Sequence, residues 1–408
     1  HTYFNGDIQD VSVWNVARSQ SDIQANQIVG NESGLVAYYP VLSADGNTLD
    51  NLALVSGLAA NLFGNAEKVS ASINSYDAGS YTLTSGDVEV DSNTSFRVTL
   101  NATDQLNVGG LLNKKGTSSD GGATYNLAAS DNWLTGAAAS LEISDATGNG
   151  ITASNVANAT LSAAAYDAAS GVLRVKGSNF VKKIGSGNDI DVSKLSITGE
   201  GGSSYRLTSN DVEVSSSTQF SVTLNAADQL NVGGLLNKNE TSSDGGTSYN
   251  LAAADNWLAG AAASDDISDA SGNGITVSNV ANAELSSATY NATSGVLTVT
   301  GTNFVKENGS NNDIDVSKLS IIGEGGSSYT LTSSDVEVAS RTTFTVTLNA
   351  ADQLNLGGLL NNSGSSSDGG TTYNLAAADN WVAGAVASAN ISDVSGNGIT
   401  VSNVPVPN

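Results

Sequence analysis

The decapeptide Asn225-Ala-Ala-Asp-Gln-Leu-Asn-Val-Gly-Gly recurs almost unchanged from Asn101 and again from Asn349. Both intervals are 124 residues (225 − 101 and 349 − 225). Tyr81, Tyr205 and Tyr329 keep that interval, as do Trp133, Trp257 and Trp381. Two equal intervals with no slip mean that whole domains have been copied in tandem. The unit is far longer than a solenoid period, roughly 20–50 residues, and large enough to bury a core without disulfide or metal staples. The spacing divides the chain into 1–34, a divergent module 1 at 35–158, module 2 at 159–282, module 3 at 283–404 and a Pro-rich linker at 405–408.

Charge narrows the partners. With 40 acidic and 15 basic residues the chain carries −25. Nucleic acid, whose phosphates need a basic face, is excluded, and so is docking on anionic lipid. Self-repulsion suits a solvated extracellular protein, and carboxylates in loops suit a divalent cation. There is no Cys, which removes disulfides, thiolate metal sites and cysteine nucleophiles. There is no Met either, and the first residue is His1, so the expectation is a piece of a longer polypeptide. No signal peptide and no apolar run of about 18 residues is present, so membrane insertion is not expected from this segment.

Within a module the signals are those of strands. Tyr166 through Gly171 and Val172-Leu173-Arg174-Val175 read as a hairpin, repeated at Tyr290 through Gly295 and Val296 through Val299. Phe220, Val222 and Leu224 share a face at period two, and the last strand is expected around 274–280. Between them, Asn225 can cap a short helix with Asp228 at the third helical position. Gly233 and Gly234 weaken that helix by about 1 kcal/mol each. The fold class expected is all-β: tandem immunoglobulin-like β-sandwich modules, each with a short helical insertion, in an elongated array. Module 1 keeps only the second half of the pattern, from Ser80 onward; residues 41–49 read as a degenerate first hairpin and 68–73 as a later strand. At the N-terminus a strand is expected from Ile8 to Trp14 and a short helix over 17–26 capped by Ser19.

Two resemblances add to this. Phe4 through Ile23 resembles the last strand and following turn of a laminin-G-like (concanavalin-like) jelly roll, and Gly34-Leu-Val-Ala-Tyr-Tyr-Pro40 is similar to the opening strand of such domains. The second of these competes with the degenerate module for the same residues. Gly295-Val-Leu-Thr-Val-Thr-Gly-Thr-Asn-Phe304 and Ile267-Ser-Asp-Ala-Ser-Gly-Asn-Gly-Ile-Thr-Val277 resemble the Ig-like or cadherin-like repeats of giant bacterial surface proteins exported by type I secretion. That resemblance implies an adhesin-like, cell-surface setting.

Catalysis has little to work with. His1 is the only histidine, which excludes a Ser-His-Asp triad, and three identical active sites in tandem would be unusual. Calcium is the cofactor expected, held by hard oxygen ligands in Gly-rich loops. The candidate ligands are Asp189 with Asp191, Asp313 with Asp315, Asp145, Asp269 and Asp393 (each with an Asn four residues on), and Glu200 and Glu324 before Gly-Gly. Each has an ordinary alternative use in binding local backbone N–H groups at turns. Trp133, Trp257 and Trp381 are read as packing residues, with sugar stacking as the alternative. Tyr81, Tyr205 and Tyr329 are read as strand residues, and Lys114-Lys115 and Lys182-Lys183 as solvated loop charges. The function expected is non-enzymatic: a stalk or fibre segment of an extracellular bacterial surface adhesin, stiffened by calcium. The alternatives are a filament or surface-layer subunit joined through the N-terminal strands, and a glycan-binding module. The partners expected are further repeats of the same polypeptide or neighbouring copies, with glycans or another cell surface as alternatives.

Overall fold

The computed structural model describes residues 11–14, 17–18, 35–39, 44–45, 48–49, 60–61 and 79–405, apart from 186 and 308–312. The chain divides into two compact units, His1–Asn74 and Ser75–Asn408.

In the first unit β1 (Val11–Trp14) pairs antiparallel with β2 (Leu35–Tyr39), Val11 opposite Tyr39 and Trp14 opposite Leu35. The Arg18 guanidinium lies 4.0 Å over the Trp14 ring, a cation–π contact. Three two-residue strands, β3 (Ala44–Asp45), β4 (Thr48–Leu49) and β5 (Ala60–Asn61), form a small sheet. Its first hairpin falls inside the 41–49 stretch. The helix expected over 17–26 and the strand expected at 68–73 lie outside the described residues, Ala17 and Arg18 apart.

The second unit holds the repeats. Among the described residues, module 1 contributes a short hairpin of β6 (Val90–Ser92) and β7 (Ser95–Phe96), and the helix α1 (Ala102–Leu111). Module 2 is β8 (Thr160–Asp167), β9 (Val172–Ser178), β10 (Leu195–Thr198), β11 (Ser204–Arg206), β12 (Val214–Ser216), β13 (Gln219–Thr223), helix α2 (Ala226–Leu235), β14 (Asn250–Ala253) and β15 (Gly274–Ser278). Module 3 repeats it: β16 (Glu284–Asn291), β17 (Val296–Thr302), β18 (Leu319–Ile322), β19 (Ser328–Thr330), β20 (Val338–Ser340), β21 (Thr343–Thr347), helix α3 (Ala350–Leu359), β22 (Asn374–Ala377) and β23 (Gly398–Ser402).

Each of these two modules is one eight-stranded sheet, ordered β11-β10-β14-β15-β8-β9-β13-β12 in module 2 and identically in module 3. The sheets curl into half-barrels. The expected sandwich has two separately hydrogen-bonded layers; here the pairing of β15 with β8 joins both halves into one run. Burial alternates: β13 buries Phe220 and Val222 while Ser221 and Thr223 are exposed, and β15 buries Ile275 and Val277 between exposed neighbours. The concave face holds the core. In module 2 Phe180, Phe220 and Trp257 pack with ring centroids 5.5–6.2 Å apart, the Phe180–Trp257 pair edge-on at 86°. Phe304, Phe344 and Trp381 repeat the cluster. In module 1 the counterparts Phe96 and Trp133 are 41% and 44% exposed, and the third position is Ser56 by the repeat interval.

One pairing is parallel. β15 runs alongside β8 in the same direction, with Gly274 opposite Ala163 and Ser278 opposite Asp167, and β23 runs likewise along β16. First and last strands of a module therefore point the same way. The chain enters at one end and leaves at the other, and β16 starts six residues after β15 stops.

The helix is fixed by one buried carboxylate. Asn225 caps it, its side chain accepting from the Asp228 amide at 2.9 Å. Asp228 is fully buried and turns back onto the Tyr205–Ser209 loop. It accepts from the Tyr205 hydroxyl (3.0 Å), the Thr208 amide and hydroxyl (3.0 and 2.7 Å), and the Ser209 amide and hydroxyl (2.8 and 2.5 Å). Asp104 and Asp352 repeat this with Tyr81, Thr84 and Ser85, and with Tyr329, Thr332 and Ser333. Burial pushes the Asp352 carboxyl up, but the hydroxyl and amide donors of Ser333, Thr332 and Tyr329 outweigh it and hold it below the usual range. Asp228→Ala leaves these donors facing a dry gap, and the expected loss is about 3 kcal/mol from the unfolding of module 2, read by denaturant titration. A loss under about 1 kcal/mol would mean that the carboxylate is not an anchor.

Candidate functional site: the junction between modules

Helix α2 carries Leu230, Gly233 and Gly234 on the side turned toward module 3. Leu230 is 7% exposed and belongs to the hydrophobic core of module 3, not of module 2. Its carbonyl accepts from the Lys306 amide at 3.2 Å. The two glycines, which cost the helix stability, let the Val305-Lys306 segment lie directly on the helix backbone. A Cβ at Gly233 would sit 2.6 Å from Val305 Cγ1, and one at Gly234 would collide with the Lys306 carbonyl oxygen. Gly384 also approaches this carbonyl, and a Cβ there would be 2.6 Å from its oxygen. A polar pair closes the edge: Asp244 accepts from the Ser388 amide at 3.1 Å and hydroxyl at 2.7 Å, which lowers its pKa.

The junction between modules 1 and 2 is built from the same positions. Leu106, 8% exposed, enters the core of module 2 and accepts from Lys182 at 3.1 Å. Gly109 faces Val181, Gly110 faces the Lys182 carbonyl, and Asp120 accepts from the Ser264 amide at 3.0 Å. The Asp-to-Ser separation is 144 residues at both junctions. Differences are at the margin: Arg341 reaches Gln229 at 3.0 Å in the second junction, and Ser217 stands at its counterpart.

Just behind each seated lysine lies a buried carboxylate. Asp189 is fully buried; its oxygens accept from the Lys183 amide at 2.7 Å and the Val214 amide at 2.9 Å. Lys182 Nζ is 3.8 Å from it and 2.7 Å from Glu213. Burial pushes the Asp189 carboxyl up, while the hydrogen bond from Lys182 holds Glu213 down. Asp313 repeats the two amide bonds, from Glu307 and Val338, with Lys306 bridging Glu337 at 3.0 Å, and burial pushes the Asp313 carboxyl to about 6. Lys182 was expected to be a solvated charge; it is instead half-buried, because its backbone is pinned by the preceding helix and its ammonium by Glu213. Lys114 likewise bridges to Asp120 at 3.1 Å.

The other residues expected to hold calcium, Asp145 apart, have carboxylates engaged by N–H groups. Asp191 caps a short 3-10 helix through the Ser193 amide and hydroxyl, and Asp315 does so through Ser317. Asp269 accepts from the Leu161 amide (2.9 Å) and Asn273 (2.8 Å), tying the start of β8 to the loop before β15; Asp393 does the same with Leu285 and Asn397. Asp145 is exposed, and its backbone bridges Ala129. Glu200 accepts from the Gly245 amide and Asn237, and Glu324 from the Gly369 amide and Asn361. These bonds hold Glu200 below the usual range despite its partial burial. Glu200 also lines a cleft of about 420 Å³ at the second junction, with Asp244 and Glu307. Among the described residues no group of three or more carboxylate or imidazole side chains is placed to hold one metal ion.

Trp257 and Trp381 are fully buried, each donating from Nε1 to a backbone carbonyl (Ile267 and Ile391) at 2.8 Å, so neither faces a sugar. Tyr205 and Tyr329 do lie in strands, but their hydroxyls have the anchoring use that strand periodicity does not reveal. The signal was present: Tyr-x-Leu-Thr-Ser stands at 81–85, 205–209 and 329–333, always 23 residues ahead of the helix Asp. No helix among the described residues is long and apolar enough to cross a membrane. No known protein family matches the chain, and no curated protein does.

Two outcomes are expected. Gly234→Ala should open the second junction and expose the Lys306 amide to hydrogen exchange, despite a helix-propensity gain of about 1 kcal/mol; Gly358→Ala, with open space around it, should show only the gain. Equal effects at the two sites would contradict the junction. The second concerns pH. The folded Asp313 carboxyl keeps its proton to about pH 6, and the unfolded one releases it near pH 4. Its contribution to stability is therefore full below about pH 4 and is lost as pH rises through 6. Thermal midpoints of the native chain should fall relative to Asp313→Asn across that window; a constant difference would exclude the effect.

Proposed function

We propose that this chain is a non-enzymatic, extracellular structural repeat protein, a stalk or fibre segment of a bacterial surface adhesin built from immunoglobulin-like modules. The reading rests above all on the parallel pairing of first and last strands. Tension applied along the chain pulls β8 and β15 in opposite senses along their shared ladder. Five paired positions are then loaded together in shear instead of being unzipped singly. A load-bearing segment needs that geometry, and an enzyme or a soluble binding domain does not. Repeated junctions support the same reading, since they hold successive modules in one relation. Net charge of −25 keeps such an array solvated and discourages lateral association. Calcium as a stiffener is part of the proposal. A chelator that leaves the melting midpoint unchanged removes it.

Stretching single chains by their ends tests the proposal. Modules 2 and 3 are expected to unfold in separate steps, each releasing on the order of 40 nm of contour for 124 residues. The force should exceed that of unzipping a hairpin. One merged step, or loss at unzipping forces, would defeat the stalk reading.

A further inference from the structure

Modules 1 and 2 each present the same seat, and each seat is filled by the following module. Module 3 presents it too. Helix α3 has the same Asn349 cap and the same buried Asp352 anchor, so its outer face has the same orientation on the sheet. There Leu354 is 81% exposed, against 8% and 7% for Leu106 and Leu230. A Cβ added to Gly357 or Gly358 would meet nothing within 4 Å. Asp368, the counterpart of Asp120 and Asp244, is exposed.

The chain also leaves module 3 as it leaves the others. Asn155, Asn279 and Asn403 all adopt the left-handed conformation (φ 55°, 59° and 57°), which Asn tolerates better than most residues. After Asn279 and Asn403 the next residue docks on its own module: the Val280 amide donates to Asn239, and the Val404 amide to Ser363. Val280 and Val404 both pack on the core of the module they are leaving.

We propose that the outer face of α3 is the seat of a further module of the same plan, joined after Val404. Its chemistry is specified by the two junctions already made. It presents a Phe-Val-Lys segment like 304–306, whose backbone lies on Gly357 and Gly358 and whose lysine amide donates to the Leu354 carbonyl. Its Gly-x-x-x-Ser turn, like 384–388, donates to Asp368, and its core takes in Leu354. A second copy of this chain fits less well, because both of its Val-Lys segments, 181–182 and 305–306, are already seated. The proposal rests on the repeat-array reading but not on load-bearing.

The test extends the chain: residues 285–404 are repeated after Asn408, so that 405–408 stand where 281–284 do, and the added module alone is isotope-labelled. Its lysine amide, the counterpart of Lys306, is expected to be protected from exchange. Leu354→Arg should remove that protection and lower the added module's melting midpoint by about 10 °C, the same change expected of Leu230→Arg for module 3. In the 408-residue chain Leu354→Arg should change neither midpoint nor sedimentation. An unprotected amide with Leu354→Arg silent in the extended chain would overturn the proposal. So would concentration-dependent dimerisation of the 408-residue chain that Leu354→Arg abolishes, which would assign the seat to a second copy. Separate unfolding steps under force would survive either result, so failure here and failure of the stalk reading are distinguishable.

Discussion

A carboxylate buried at the third position of each helix is the constraint on which the rest depends. An unpaired charge in that position would cost several kcal/mol, and Asp228 escapes the cost only by collecting donors from the Tyr205–Ser209 loop. Charge-assisted bonds of this kind are short and directional. The helix is ten residues long and interrupted by two glycines, too weak to hold its place by propensity. Pinned at its N-terminus by Asn225 and Asp228, it has one orientation on the sheet. That orientation puts Leu230 and the Gly-Gly pair at the end of the module, where the next one begins.

From this anchor the junction follows. Glycines that weaken the helix allow backbone to lie on backbone, and a leucine crosses into the neighbouring core. The two cores stay distinct, each closed by a single side chain from the module before it. Parallel first and last strands pass the chain from one end of the sheet to the other, and a left-handed Asn fixes its exit. A repeat of this sort copies its interface together with its fold, which is why the positions match at both junctions.

The acidic residues bind backbone and hydroxyl donors within each module. Of the Asp-x-Asp pair at 189–191, one carboxylate is buried beneath the seated lysine and the other caps a 3-10 turn. Asp269 and Glu200 tie loop to strand and loop to loop through amide donors. In a chain poor in large side chains and free of cysteine, carboxylates serve as local clasps on backbone that no ladder satisfies.

Much of this was legible in the residues. The interval of 124 marked the repeat, alternation at Phe220 and Val222 marked the inward face, and Asn225 with Asp228 marked the helix start. These are local or periodic features, and local sterics and burial determine them. What the sequence could not decide was which distant groups meet. Strand order, the parallel pairing of β15 with β8 and the joining of eight strands into one sheet depend on contacts about a hundred residues apart. The tyrosine hydroxyls that reach the helix carboxylates, and the lysine segments seated on glycines, are tertiary in the same sense. Gly233 and Gly234 read as defects in a helix until the neighbouring backbone is laid against them. Their meaning lies in the space they leave, and only the packed structure shows what fills it.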